Sequence, residues 1–80
     1  MRKMTEIKVS LDSIEKVKQF VSITNEFDTD FDLVSGRYVI DAKSILGIFS
    51  MDLSKPLVLQ IHEHQEEAGK ILESLKEYVV

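Results

Sequence analysis

Few side chains in this sequence could do chemistry, and each group of them lacks a partner that the chemistry needs. His62 and His64 stand two apart. On a strand that spacing turns both to one face, where they could grip a metal together. Glu63 between them faces the other way, and no further ligand lies nearby. Protein zinc sites use three or four ligands, so the expectation is a solvent-facing pair and no metal. Asp28, Asp30 and Asp32 have the spacing that opens a calcium-binding loop. Such a loop needs glycine at its sixth position and glutamate at its twelfth, and Leu33 and Val39 stand there instead. The three acids read as the wet face of a strand whose dry face carries Phe31 and Leu33.

Serines occupy positions 10, 13, 22, 35, 44, 50, 54 and 74. A nucleophilic serine needs a base beside it and an acid to orient that base. The only two histidines share one strand, and no Gly-x-Ser-x-Gly elbow is present. Three glycines form no phosphate-cradling loop, and no cofactor motif appears. With no cysteine, disulfides and thiolate zinc sites are excluded. These residues argue against an enzyme and for a protein that acts through its surface.

The 80 residues are enough for a single domain spanning 1–80. A chain of that size buries about 60% of the surface its unfolded form exposes, so one core must hold everything. Hydrophobic residues at 44% and charged residues at 30% are globular values and argue against disorder. The first eight residues run into charge rather than an apolar stretch, and no apolar run approaches the roughly 20 residues of a membrane span. The expected compartment is the cytoplasm, with no membrane partner. A formal net charge of −4 disfavours nucleic acid and suits protein partners.

The elements that must position these residues follow from periodicity. From Thr5 to Leu11 the odd positions are apolar or β-branched and the even ones polar, which predicts a strand with one buried face. Asp12 and Ser13 are both good helix N-caps, and Asp12 with Glu15 reads as a capping-box variant. It opens a helix to about Glu26, with Ile14, Val17, Phe20, Val21 and Thr24 on its apolar side. Phe31 and Leu33 mark a second strand. Ser35-Gly36 marks a turn, and Arg37 to Ile40 the returning strand of a hairpin. Ser44 caps a short helix from Ile45 to about Met51, and Pro56 punctuates a loop. Leu57, Leu59 and Ile61 alternate with Val58, Gln60 and His62 in a fourth strand. Glu66 and Glu67 suit a helix start, and Ala68, Ile71, Leu72, Leu75, Tyr78 and Val79 form the stripe of a last helix. The order βαββαβα predicts an α+β open-faced sandwich, a four-stranded antiparallel sheet with three helices on one face.

The short helix is apolar all round. Ile48 and Met51 suffice to anchor two turns on a small sheet. Ile45, Leu46 and Phe49 are then left with too little core to fill, and either loops cover them or they form an exposed docking patch.

Lys43-Ser44-Ile45-Leu46-Gly47, followed by Ile48, Phe49 and Ser50, resembles the regulatory serine segment of the HPr family. These are the small histidine phosphocarriers of the bacterial sugar phosphotransferase system. Phe27-Asp28-Thr29-Asp30, Leu33 and Gly36 fall at matching spacing upstream. The resemblance covers essentially the whole chain, with a slightly shorter loop before Pro56. It implies the βαββαβα fold. It also implies that Ser13 stands where the family places its phosphate-accepting histidine, with Glu15 and Lys16 at the positions of the assisting arginine and proline. A serine ester lacks the transfer potential of a phosphohistidine, and Glu15 repels the phosphate a helix N-terminus attracts. Relay through this site is expected to fail.

Ser44 keeps its motif, which the resemblance makes a phosphorylation candidate, recognised in the family by a serine kinase and read by a transcription regulator. In this respect the chain is similar to the catabolite-repression HPr-like proteins. A hydroxyl at a helix cap tolerates added negative charge, although it also serves as an ordinary cap. The resulting expectation is a regulatory or docking protein that contacts partners through Ile45, Leu46 and Phe49, bordered by Lys16 and Lys18. Two alternatives stay open: a phosphocarrier using a non-standard acceptor, and an interaction or assembly module that inherited the fold. The oligomeric state is open as well.

Overall fold

The computed structural model describes residues 3–63 and 67–80. His64 and Glu66 lie outside them. Four strands and three helices alternate along the chain: β1 Lys3–Val9, α1 Ile14–Thr24, β2 Asp30–Ser35, β3 Tyr38–Asp41, α2 Ile45–Phe49, β4 Leu57–Glu63 and α3 Ala68–Leu75. A 3-10 turn, Lys76–Tyr78, continues α3. The strands form one sheet in the order β1-β4-β2-β3, with every neighbouring pair antiparallel. This is the open-faced sandwich that the periodicities predict.

Alternation on β4 sets the two faces of the sheet. Leu57, Leu59 and Ile61 are buried, while Val58, Gln60 and His62 are half-exposed. Phe31 and Leu33 of β2 pair directly with Ile61 and Leu59, so their side chains share the dry face. Val17 and Phe20 of α1, Ile48 of α2 and Ile71 and Leu75 of α3 close over it. Each such side chain, fully buried, contributes about 1.5–3 kcal/mol.

Element boundaries differ from the periodicity in ways that have local causes. β1 ends at Val9, where its ladder to β4 reaches Leu57. Pro56 precedes Leu57 and has no N–H to extend the ladder. Leu11, expected to be in the strand, lies beyond it yet is fully buried. Ser10 N donates instead to Tyr78 O at 2.7 Å, and Val9 bridges Val79, so the chain's last residues cover this part of the β1 edge.

Of the two expected caps, Ser13 is the one that caps α1, and the helix stops at Thr24 rather than Glu26. Thr24 is buried and shares its hydroxyl proton between Val21 O and Ala42 O, each at 3.1 Å. Asn25 then caps the helix end. Ile14 is 64% exposed instead of joining the core. Its helical angle lies nearly a quarter turn from the line of Val17, Phe20 and Thr24.

The hairpin loop is Gly36-Arg37, flanked by the pair Ser35 and Tyr38. Gly36 has φ 59. That is the first loop position, where a type II′ turn requires glycine. β3 accordingly starts one residue later than expected. Helix α2 ends at Phe49 because Ser50 N and Met51 N turn back to Gly47 O and Ile48 O. The last helix tightens into a 3-10 turn after Leu75, which drives the Tyr78 ring against Phe20 edge-to-face at 5.7 Å. Val79 leaves the stripe and is 43% exposed.

Candidate functional site

Ser44 is held by a loop fastened from three sides. Asp41 O accepts from Ser44 N at 3.0 Å, and Asp41 Oδ1 accepts from Lys43 N at 2.9 Å. Ala42 is fully buried, and its carbonyl takes the Thr24 hydroxyl. Lys43 Nζ donates to Phe27 O at 2.6 Å and lies 5.8 Å from the Phe31 ring centre. The lysine of the serine motif is therefore spent on structure and is not a free cation beside the serine.

With its backbone extended (φ −100, ψ 104), Ser44 turns its Oγ to accept from Gly47 N at 3.2 Å. A Cβ on Gly47 would meet Ile40 Cγ2 at 2.6 Å and Ser44 Oγ at 3.1 Å. Glycine is required there because the helix start sits directly on β3. The Ser44 side chain is exposed, and the first turn of α2 contains no acid. An exposed hydroxyl over free helix N–H groups is a position where added phosphate is favoured.

Helix α2 is anchored by Ile48, which is fully buried. Met51 packs against the core as expected, and so does Ile45. Of the expected patch of Ile45, Leu46 and Phe49, Ile45 is half-buried at the core edge. Leu46 is 81% exposed and Phe49 40%. Three residues apart, these two share one side of the helix. Helix α1 packs against α2 and exposes Ile14 at its own first position. Periodicity hides Ile14, since an apolar residue at helical spacing reads as core; only its angular offset marks it.

The basic residues expected beside the patch differ from one another. Lys16 Nζ pairs with Asp12 Oδ1 at 3.0 Å, a bond that holds the Asp12 carboxyl below its usual range. Lys18 is exposed and makes no ion pair with a described residue. Ser13 caps α1 with its Oγ accepting from Lys16 N at 3.1 Å, and Glu15 lies in the first turn. Neither histidine of the sequence is on this helix.

His62 points to the outer face of the sheet, where its Nε2 lies 3.1 Å from Asp32 Oδ2. Among the described residues no three His, Asp or Glu side chains stand close enough to hold a metal ion. Nor is any described helix long and apolar enough to cross a membrane.

A family model described as the PTS HPr component phosphorylation site matches residues 14–80. The phosphocarrier protein HPr of Bacillus anthracis is similar in structure, with a TM-score of 0.70 and 27% identity over 99% of this chain and 98% of its own. Crh, the Bacillus subtilis catabolite repression protein, whose crystal structure is described as a swapped dimer, superposes with a TM-score of 0.61. It is 26% identical over 92% of this chain and 88% of its own. HPr-C-His from Thermoanaerobacter tengcongensis shares the fold with a TM-score of 0.65, at 22% identity over 96% of this chain and 88% of its own. No curated protein sequence matches the chain significantly.

Proposed function

Because this chain belongs to the HPr family of the sugar phosphotransferase system, we propose that it serves that system as a docking and regulatory protein and not as a phosphate relay. The observation that carries this reading is the pairing on α2 of an exposed cap serine, Ser44, with the exposed apolar residues Leu46 and Phe49. Apolar surface that the fold does not need is where a partner recovers burial energy, and a phosphate at its edge changes what can dock. Ile14 extends the apolar surface onto α1, and Lys18, which pairs with no acid among the described residues, supplies a cation there.

The relay is argued against by Ser13. It stands where the resemblance places the accepting histidine, and the carboxylates of Asp12 and Glu15 flank it. Phosphoryl transfer onward needs a labile phosphorus–nitrogen bond that a serine ester does not provide. The partners of this reading are a serine kinase and a transcription regulator.

The test is incubation with the family's serine kinase and ATP, read by intact mass on wild type and Ser44→Ala. One phosphate on the wild type and none on the variant is expected. Label passing from phosphoenolpyruvate through the upstream phosphotransferase onto this chain would overturn the regulatory reading. Phe49→Ala is expected to weaken partner binding and leave the fold intact. If Phe49→Ala unfolds the domain, the ring is core and not a contact.

A further inference from the structure

A cleft of about 400 Å³ opens between the β2–β3 hairpin and the far end of α2, lined by Ser35, Gly36, Arg37, Tyr38, Ser50, Met51 and Asp52. It lies at the opposite end of α2 from Ser44, and the proposed docking surface makes no use of it. Its volume falls within the range of small-molecule sites, which combine an aromatic or apolar wall with a few convergent polar groups.

The two walls have opposite chemistry. On the hairpin side, Arg37 is exposed and makes no ion pair with a described residue. A guanidinium without a carboxylate is a fork of donors suited to phosphate. Tyr38 beside it is 71% exposed, so its ring contributes little to the core. On the α2 side the acceptor is the carboxylate of Asp52, since Gly47 O and Ile48 O at the helix end are already taken by Ser50 and Met51. Asp52 Oδ1 takes Ser54 N at 3.0 Å and Ser54 Oγ at 2.6 Å, which fixes the carboxylate and holds its pKa low. Its other oxygen remains an acceptor.

We propose that this cleft binds a nucleoside monophosphate, with the phosphate on Arg37, the base on the face of Tyr38, and the ribose hydroxyls donating to Asp52. A simple anion satisfies only the hairpin wall and is repelled by Asp52. A neutral aromatic leaves Arg37 unpaired. A ligand with an anion at one end, a planar ring and a hydroxyl pair between them meets all three groups. Stacking of a base on an aromatic ring is sequence-tolerant, so the structure assigns the ligand class and not the base.

The test uses the whole 15N-labelled chain titrated with AMP, adenosine and ribose 5-phosphate, followed by amide chemical shifts. Saturable AMP shifts centred on Gly36, Arg37, Met51 and Asp52 are expected, with adenosine and ribose 5-phosphate each far weaker. Arg37→Ala weakens AMP binding by about tenfold or more, the scale of a charge-assisted contact. Tyr38→Ala does so by a similar factor through lost stacking. Both side chains are exposed, so both variants fold. Asp52→Asn lowers affinity for AMP but leaves that for its 2′,3′-dideoxy analogue unchanged. Absence of saturable shifts, shifts centred on the start of α1, or ribose 5-phosphate binding as tightly as AMP would each overturn the assignment.

Discussion

Ser13 and Ser44 are the same device in two settings. Each is an extended N-cap whose hydroxyl accepts from the amide three residues on, at 3.1 Å and 3.2 Å. Around Ser13 stand Asp12 and Glu15, at the head of an 11-residue helix anchored by Val17, Phe20 and Thr24. Around Ser44 stand a glycine with no room for a side chain, two exposed apolar residues and no acid in the first turn. That helix has five residues and one fully buried anchor. Cap geometry alone therefore does not distinguish a signalling serine from a structural one. Neighbouring charge and spare apolar surface do. The same contrast makes α2 the more fragile element, since so much rests on Ile48.

Removing that anchor should have the largest effect. Ile48→Ala is expected to cost about 2–5 kcal/mol, the usual range for a large-to-small core change. Urea denaturation followed by circular dichroism measures it. A cost under about 1 kcal/mol would mean that Ile45 and Met51 hold α2 without it, and the claimed fragility would be gone. Gly47→Ala comes next. Its new methyl collides with Ile40 Cγ2, so a loss of about 1–3 kcal/mol is expected, as for an overpacked core. The corresponding change at α1, Lys16→Ala, meets no such wall and should be mild. If Gly47→Ala were equally mild, β3 must yield, and the tight seat of Ser44 would not be a real constraint.

Much of this contrast is legible in the sequence, and the failures have a common cause. Alternation predicts β1, β2 and β4, and helical spacing predicts α1 and α3, because those periods follow from burial on one face; β3 follows from the Ser35-Gly36 turn and α2 from its serine cap. The exposed Leu46 and Phe49 follow from a helix with more apolar residues than a small sheet can cover, and the serine motif from the resemblance to the HPr family. What periodicity misses are residues whose fate is decided by chain segments distant in sequence. Leu11 is buried outside its strand because the C-terminal residues cover the β1 edge. Lys43 is tied to the carbonyl of Phe27, sixteen residues away. The arginine-tyrosine cleft appears only when the hairpin folds over the end of α2.

The cap serines themselves come next in size. Ser13→Ala and Ser44→Ala should each lose about 1 kcal/mol, since each orphans one helix-start amide. Their costs should be similar although their settings differ, because the cap bonds are nearly the same length. A much larger cost at Ser44 would show that its hydroxyl also supports the Asp41–Lys43 loop. It would then be a structural residue first, and phosphorylation there would disturb the fold as well as the surface.

The smallest effect belongs to the charge around Ser13. Asp12 is exposed, and its bond to Lys16 lowers its carboxyl below the ordinary value of 3.8. A pKa lowered by folding adds stability above the unfolded value and loses it as pH falls through the lowered one. Asp12→Asn should therefore show a slight deficit against wild type at pH 5 that closes as the pH falls through the lowered folded-state value. Added salt at pH 5 should close it too, as expected of an exposed ion pair. A deficit that survives acid and salt would instead place Asp12 in the backbone geometry of the cap. The acids beside Ser13 would then belong to the construction of α1, and their presence would no longer argue that this serine has left phosphate chemistry to Ser44.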